Sequence, residues 1–317
     1  MCFGFDGEGE LRRSLARKGA LRRNVLRGTA AGAVGIAALG SGMSSAAAAG
    51  DRAHGQRRRS IPHDRVSIQL YTLRDALGGE PGFDVVLTRL AQYGYEKVEL
   101  AGYYGRTARE LRKFLDGLDI RATSSHDGIS ASASDLHIKL ENAATLGQKY
   151  IVVPYLASEE KSDWETWADQ MNKEAQAAKG WGLQYGYHNH AHEFTTDLGD
   201  GVTPWEVLTE RLDPRYVHLE VDLYWAYTGG VNSGAEDPDR FAIDVIGKAP
   251  QRVRQFHVKD RDEATGDMCD LGTGVVDFPR IFRTHTVEEY IVENDTPDVS
   301  PLTSAAVGHL YLDHLEY

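Results

Sequence analysis

Short apolar runs recur along the chain at intervals that suit one strand plus one helix. They read VSIQLYTL (66–73), KVELAG (97–102), RATSSHDG (121–128), YIVVPYL (150–156), LQYGYHNH (183–190), VHLEVDLYWAY (217–227), VRQFHVKD (253–260) and EEYIVEND (288–295). Runs of this length and composition predict a strand in each. The stretches between them carry apolar residues at helical spacing, as in the stripe Phe83, Val86, Leu87 and Leu90. TARELRKFLDGL and LHIKLENAATLG do likewise, and each ends in a glycine region suited to a helix stop. Pro204 opens PWEVLTERL at a place where a first helical turn favours proline. DFPRIFRTHTV is short and predicts a compressed unit, and SPLTSAAVGHLYLDHLEY closes the chain as a last helix. Eight strands, each followed by a helical segment, predict a (β/α)8 TIM barrel, one domain over residues 63–317. An open doubly wound sheet is the rival, but no glycine-rich phosphate loop follows the first strand, where YTLRDALGGE stands.

Alternation along each strand assigns faces. Polar side chains are costly against the helix layer unless paired, so the polar parity is expected to face the barrel interior. That parity selects Ser67, Gln69 and Tyr71 on the first strand, Glu99 on the second, and Ser124 and His126 on the third. It selects Gly186, His188 and His190 on the fifth strand, then His218, Glu220 and Asp222 on the sixth. His257 and Lys259 share a face on the seventh, and Ile291, Glu293 and Asp295 share one on the eighth. These acids and imidazoles converge on the carboxyl-end mouth, where barrel enzymes place their chemistry. His192 lies past its strand, and its direction cannot be read from alternation.

Composition is that of an ordinary globular chain, with 41% hydrophobic and 26% charged residues. The formal charge is −12, and the first fifty residues run against it with seven basic residues and three acids. The remainder is therefore still more acidic, which argues against nucleic acid as a partner. At the amino terminus LRRNVLRG precedes a weakly apolar TAAGAVGIAALGSGM and then SSAAAAG. This pattern predicts a twin-arginine type export signal over residues 1–49 and a flexible linker over 50–62. The apolar stretch is glycine-rich and shorter than the roughly twenty residues of a membrane span, so no stable span is expected after cleavage. An extracellular location follows from that reading. With Cys2 in the predicted signal, no intrachain disulfide is expected in the mature chain. An oligomer is compatible with the composition.

The strings YHNH, EVDLYWA, FHVKD, LGTGVVDF and YIVEND, in this order, resemble the sugar phosphate isomerase/epimerase superfamily of xylose-isomerase-like barrels. The resemblance covers roughly residues 64–317. It takes in ketose epimerases, inosose dehydratases, lyases of 3-keto-glycosides and endonuclease IV-type nucleases. It implies one divalent cation held by a residue from each of strands five to eight. Carried over by position, the ligands are Asp222, His257 and Glu293, with His188 standing where the epimerases have a glutamate. The alternatives at the strand-five place are Glu193 reaching back from the loop, or a coordination place left to water and substrate. Imidazoles with carboxylates suit Mn²⁺, Co²⁺, Fe²⁺ or Zn²⁺ better than Mg²⁺. Glu220 or Asp260 are candidate acceptors for the ligands' free nitrogens. The competing reading of the same acids is a buried ionic network with Lys259 and Arg254.

The resemblance implies a metal-dependent sugar isomerase or epimerase that removes a proton alpha to a carbonyl. His190 is the candidate base, His126 or Glu99 the acid, and Lys259 the group that holds a substrate oxygen. With a histidine in place of one glutamate, a dehydratase or β-eliminating lyase on a keto-sugar, 3-keto-glycoside or keto-inositol is the serious rival. A non-catalytic sugar-binding protein is a third reading. Tyr155 and Trp225 at strand ends are candidates for stacking on a sugar ring, and Gln69 and Glu193 for binding its hydroxyls.

Overall fold

The structure, a computed structural model, describes residues 59–317. The predicted export signal, and the linker apart from its last four residues, lie outside the described residues. Eight parallel strands form the sheet: β1 (Val66–Gln69), β2 (Lys97–Leu100), β3 (Arg121–Ser125), β4 (Tyr150–Val153), β5 (Gln184–His188), β6 (Val217–Asp222), β7 (Val253–Val258) and β10 (Glu289–Val292). β8 (Asp260–Arg261) and β9 (Met268–Cys269) form a separate antiparallel hairpin at the mouth end of β7. Strand order is β3-β2-β1-β10-β7-β6-β5-β4, so the sheet curls round until its two ends meet. They join through a single parallel bridge between His126 and Val152, supported by the Asp127 amide donating to the Val152 carbonyl at 2.9 Å. The result is a nearly closed eight-stranded barrel surrounded by helices, as the alternation predicts.

Helices begin and end where local chemistry directs them. The helices Ala108–Asp116 and Pro204–Arg211 each open on a capping box, Thr107 with Glu110 and Thr203 with Glu206. Helix Phe83–Tyr93 buries the expected stripe Phe83, Val86, Leu87 and Leu90. It stops at Gly94, whose φ of 98° suits glycine alone. The sixth strand is shorter than the apolar run suggests. Asp222 ends it by accepting the Trp225 amide at 2.8 Å, and Leu223–Asn232 continues as a helix. The first strand likewise ends at Gln69, whose side chain accepts the Tyr71 amide at 3.0 Å and starts a 3-10 turn. Tyr71 is consequently 45% exposed rather than an interior residue. Among the described residues no helix is long and apolar enough to cross a membrane.

Valine, leucine, isoleucine and tyrosine of the other parity pack between sheet and helices, with Ile68, Val98, Ile151, Tyr185, Tyr187, Val221, Phe256 and Val258 fully enclosed. Inside the barrel the filling is mostly polar, with Val152 and Ile291 as apolar exceptions. Gly186 is needed on the lower part of β5, because a Cβ there would meet the His218 ring at 2.6 Å. His218 in turn lies 3.1 Å from Gln255. Nearby, Thr123 donates to the buried Glu289 at 2.5 Å.

Burial lifts the Glu289 carboxyl from 4.5 to about 7, with Glu99 adding to the effect. The folded chain therefore keeps this proton over a range where the unfolded chain has lost it. The resulting stabilisation is complete below pH 4.5 and fades as pH rises through 7. Glu289→Gln, the same shape without a charge, should remove that decline. Urea unfolding at pH 8.5 should show the variant more stable than the parent by on the order of 2 kcal/mol, with little difference at acid pH.

Candidate active site

The fifth strand delivers its imidazoles one after another. Register places His188 beside Glu220 and Asp222 beside His257, so β5, β6 and β7 present their polar residues to a common space. Past His188 the ladder ends, and two side chains replace it. Asn189, fully buried, accepts the Asp222 amide at 3.0 Å and donates to the Asp222 carbonyl at 3.3 Å. Glu193 lies on the single helical turn His192–Thr195 and folds back beneath the loop. There it accepts the Tyr187 hydroxyl at 2.6 Å and the His190 amide at 2.8 Å. Glu193 is thus fully enclosed and held by the loop's own donors, and it does not line the pocket where a substrate or ion would meet it. His192 points away too, 2.7 Å from the Leu156 carbonyl.

A layer of charge crosses the barrel below the mouth. Glu220 Oε1 lies 2.9 Å from His126 Nε2, 3.0 Å from His257 Nε2 and 3.3 Å from His188 Nδ1. Glu99 Oε1 lies 2.7 Å from His257 Nε2 and 3.2 Å from His126 Nε2, and it accepts the Gln69 amide at 2.7 Å. Gln69 therefore serves Glu99 from below and does not line the cavity. The other nitrogen of His257, Nδ1, is 2.6 Å from Glu293 Oε2. Above this layer the Lys259 ammonium sits 2.6 Å from Glu293, 3.0 Å from Asp222 and 3.1 Å from Asp295. Arg254 belongs to a different group, since it pairs with Glu288 in a cluster with Lys149 and Tyr150. Asp260 instead binds backbone amides of residues 272, 274 and 276 and ties down the loop LGTGVVDF.

Protonation follows from these contacts. Burial opposes the charge on Lys259, but the three carboxylates outweigh it and hold its pKa well above the usual value. Burial likewise opposes His257, and Glu220, Glu293 and Glu99 together keep it an imidazolium well above 6.5. Burial also pulls His126 down, but Glu99 and Glu220 outweigh it and raise its pKa. Burial and His257 push His188 well below its usual value, while burial and Lys259 bring His190 down to about 3. His188 lies between the other two imidazoles, 5.0 Å from the His126 ring and 5.1 Å from the His190 ring. The two ends of this short row are therefore pushed in opposite directions, His126 up and His190 down. Asp295, raised to about 6 by burial and by Glu293, stands at the rim of the same group.

A cavity of about 380 Å³ opens above them, lined by His126, His188, His190, Lys259, Glu293 and Asp295, with Tyr71 and Tyr155 at its rim. Tyr155 is 57% exposed and stands edge-on to the His190 ring at 5.1 Å. Trp225 lies 5.3 Å from His190 on its other side, and the Lys259 ammonium approaches the indole at 5.9 Å. Among the described residues no arginine lines the cavity; Arg74 stands behind its rim and donates to the backbone carbonyls of Tyr71 and Asp295.

The structure thus brings together His126, His188, His190, Asp222, His257, Lys259, Glu293 and Glu99, and sets Gln69 and Glu193 behind them. Alternation flagged Asp295 as inward-facing without giving it a role. Asn189 carried no signal, because its face only has meaning once the strand has ended. Two clusters bring ligand-type atoms within 4.8 Å of one another: Asp222 with His257 and Glu293, and His126 with His188, Glu220 and His257. Either set has the donors to hold a divalent ion. In the first, however, an ammonium already stands against both carboxylates, and a dication bound at about 2.1 Å to each would be driven against it.

The fold and this mouth place the chain in a family: it belongs to the xylose isomerase-like TIM barrels, whose model matches residues 87–289. Its relatives include inosose dehydratases. That of Geobacillus kaustophilus is 26% identical over 290 residues, covering 75% of this chain and 89% of the enzyme. That of Bacillus velezensis is 28% identical over 186 residues, and the match spans only 56% of the enzyme's length and 50% of this chain. Among solved structures, a sugar phosphate isomerase/epimerase from Parabacteroides distasonis shares the fold with a TM-score of 0.65 and 24% identity, over 80% of this chain and 94% of that one.

The three carboxylates around Lys259 generate a stability prediction. Lys259→Met keeps the length of the side chain but leaves Asp222, Glu293 and Asp295 without their ammonium. Denaturant unfolding at neutral pH should show a loss of about 3–5 kcal/mol. A change below about 1 kcal/mol would mean that the ammonium does not hold these acids together.

Proposed function

We propose that this chain is a lyase that removes water from a neutral polyhydroxy ketone, of the keto-inositol or keto-sugar class. The observation that carries the reading is a pair of acid–base groups beside one buried ammonium. His190 Nδ1 and Asp295 Oδ1 are both buried with no hydrogen-bond partner among the described residues, and Lys259 lies against both groups electrostatically. The neutral His190 takes the proton alpha to the ketone. The bonding pair moves toward the carbonyl oxygen, where the Lys259 ammonium stabilises the enolate. When the enolate collapses, the β-carbon loses its hydroxyl, and that hydroxyl leaves as water with the proton of Asp295. His190 then carries the proton that the substrate lost, and exchange with solvent resets both groups.

The absence of arginine among the described lining residues and the excess of carboxylates below them favour an uncharged substrate over a phosphorylated one. Tyr155 and Trp225 offer faces for a sugar or cyclitol ring. The dehydratase names of the relatives support elimination over the isomerisation that the sequence brings forward first.

The test is a panel of neutral ketoses and keto-inositols incubated with the enzyme in heavy water and read by mass spectrometry. Elimination predicts a product lighter by one water. A product of unchanged mass carrying solvent deuterium at the alpha carbon would make the enzyme an isomerase, and no turnover at all would favour a sugar-binding protein. On an active substrate, His190→Asn should cut kcat by about 10²–10⁴-fold with little change in KM. A variant that keeps full kcat would remove His190 from the reaction.

A further inference from the structure

Asp295 stands beyond the end of its strand, since β10 stops at Val292 and no ladder holds the chain there. Side chains from other parts of the molecule hold it instead. Met268 Sδ accepts its amide at 3.2 Å, and Arg74 Nη2 donates to its carbonyl at 2.8 Å. The Lys259 ammonium takes carboxylate oxygen Oδ2 at 3.1 Å and leaves Oδ1 without a partner among the described residues. One residue earlier, the Asn294 amide donates to the Thr72 hydroxyl at 3.0 Å. The turn after the first strand thus grips the loop after the last at both Asn294 and Asp295.

Arg74 stands out in this set. Among the described residues it makes no ion pair, although acids crowd the mouth beside it. Its guanidinium is spent on two carbonyls and an aromatic face. Nη1 donates to the Tyr71 carbonyl at 2.9 Å, Nη2 donates to that of Asp295, and the central carbon lies 4.3 Å from the centre of the Tyr71 ring. A rigid fork of donors can join two backbone segments at once, and the single ammonium of a lysine does not reproduce that geometry. Arg74 itself does not line the cavity, whereas Tyr71 and Asp295 both do. Its influence on a substrate is therefore exerted through them.

We infer that Arg74 is a positioning residue, fixing the Asp295 carboxyl where it meets the departing hydroxyl. This rests on the lyase reading above, in which His190 takes the alpha proton and Asp295 gives one to the leaving group. The two groups have separate supports. The His190 amide is held by Glu193 at 2.8 Å, and its strand β5 stands four places from β1 in the ring of eight, directly across the mouth from Arg74. Loss of Arg74 therefore disturbs the second half of the reaction and spares the first. The alpha proton still leaves, but the enolate takes a proton back from His190 more often than it expels hydroxyl as water. A residue that only welded the first strand to the last would slow both halves alike.

The full chain is assayed in heavy water on a ketone that the parent dehydrates, with product and recovered substrate weighed separately. Arg74→Gln should lower kcat for water loss by about 10- to 100-fold and leave KM within about twofold. The recovered substrate should meanwhile gain deuterium at the alpha carbon at close to the parent's rate of proton abstraction. A second measurement needs no substrate. In NMR of amide exchange, the Asp295 amide should exchange about tenfold faster in the variant while the His190 amide keeps the parent's rate. Should Arg74→Gln not fold, Arg74→Lys, which keeps the charge and one point of donation, should shift the ratio of exchange to water loss in the same direction. Equal slowing of exchange and water loss, unaltered water loss, or an unchanged Asp295 amide each overturns the assignment of Arg74 and leaves the lyase reading standing. A parent enzyme that exchanges the alpha proton without losing water overturns both.

Discussion

Five carboxylates, those of Glu99, Glu220, Asp222, Glu293 and Asp295, are enclosed in or near the mouth of one barrel, four of them at most 4% exposed. Such a collection is unstable unless cations are interleaved with it, because each unpaired buried charge costs several kcal/mol. The chain supplies the cations from within. Lys259 stands among three of the acids, and His257 bridges Glu293 above to Glu220 and Glu99 below. Everything else at the site depends on that alternation of sign. It sets which way each imidazole's pKa is pushed and which hydrogen-bonding atoms remain free.

The distribution of charge also separates this mouth from a symmetrical two-carboxylate site. In the row His126, His188, His190, the first ring faces Glu99 and Glu220, while the last faces Lys259 and two aromatic rings. The pKa values of identical side chains are thus driven in opposite directions by their neighbours. The supports of this row are remote from the pocket itself. Glu193 fixes the His190 backbone from beneath, and Asn189 clamps the end of β5 to the end of β6. A loop with no such ties would let His190 drift by enough to lose a proton transfer.

Much of this was legible in the sequence because strand side chains alternate strictly. Period two alone puts His188, Glu220, Asp222, His257, Lys259 and Glu293 on one side, and the structure gathers them there. Legibility fails where the strand stops. Tyr71 was assigned inward, but Gln69 captures its amide and turns the chain outward. Glu193 is one residue into a helical turn, so its carboxylate folds back to Tyr187 instead of forward to a ligand. The hairpin of β8 and β9 was not foreseen, since two-residue strands leave no periodicity to read. Which acid pairs with which base is a three-dimensional matter as well. The expected ionic network with Lys259 exists at the mouth, whereas Arg254 joins Glu288 elsewhere.

Buried cations on the chain itself hold these acids together, and the charge on His257 is their most accessible reporter. Nitrogen-15 NMR of the histidine side chains in metal-free protein, followed from pH 6 to pH 9, reads the protonation of each ring nitrogen. His257 should keep both ring nitrogens protonated to a higher pH than an exposed histidine, because Glu220, Glu293 and Glu99 favour its charged form. A His257 that titrates near its ordinary value, or is neutral throughout, would contradict it.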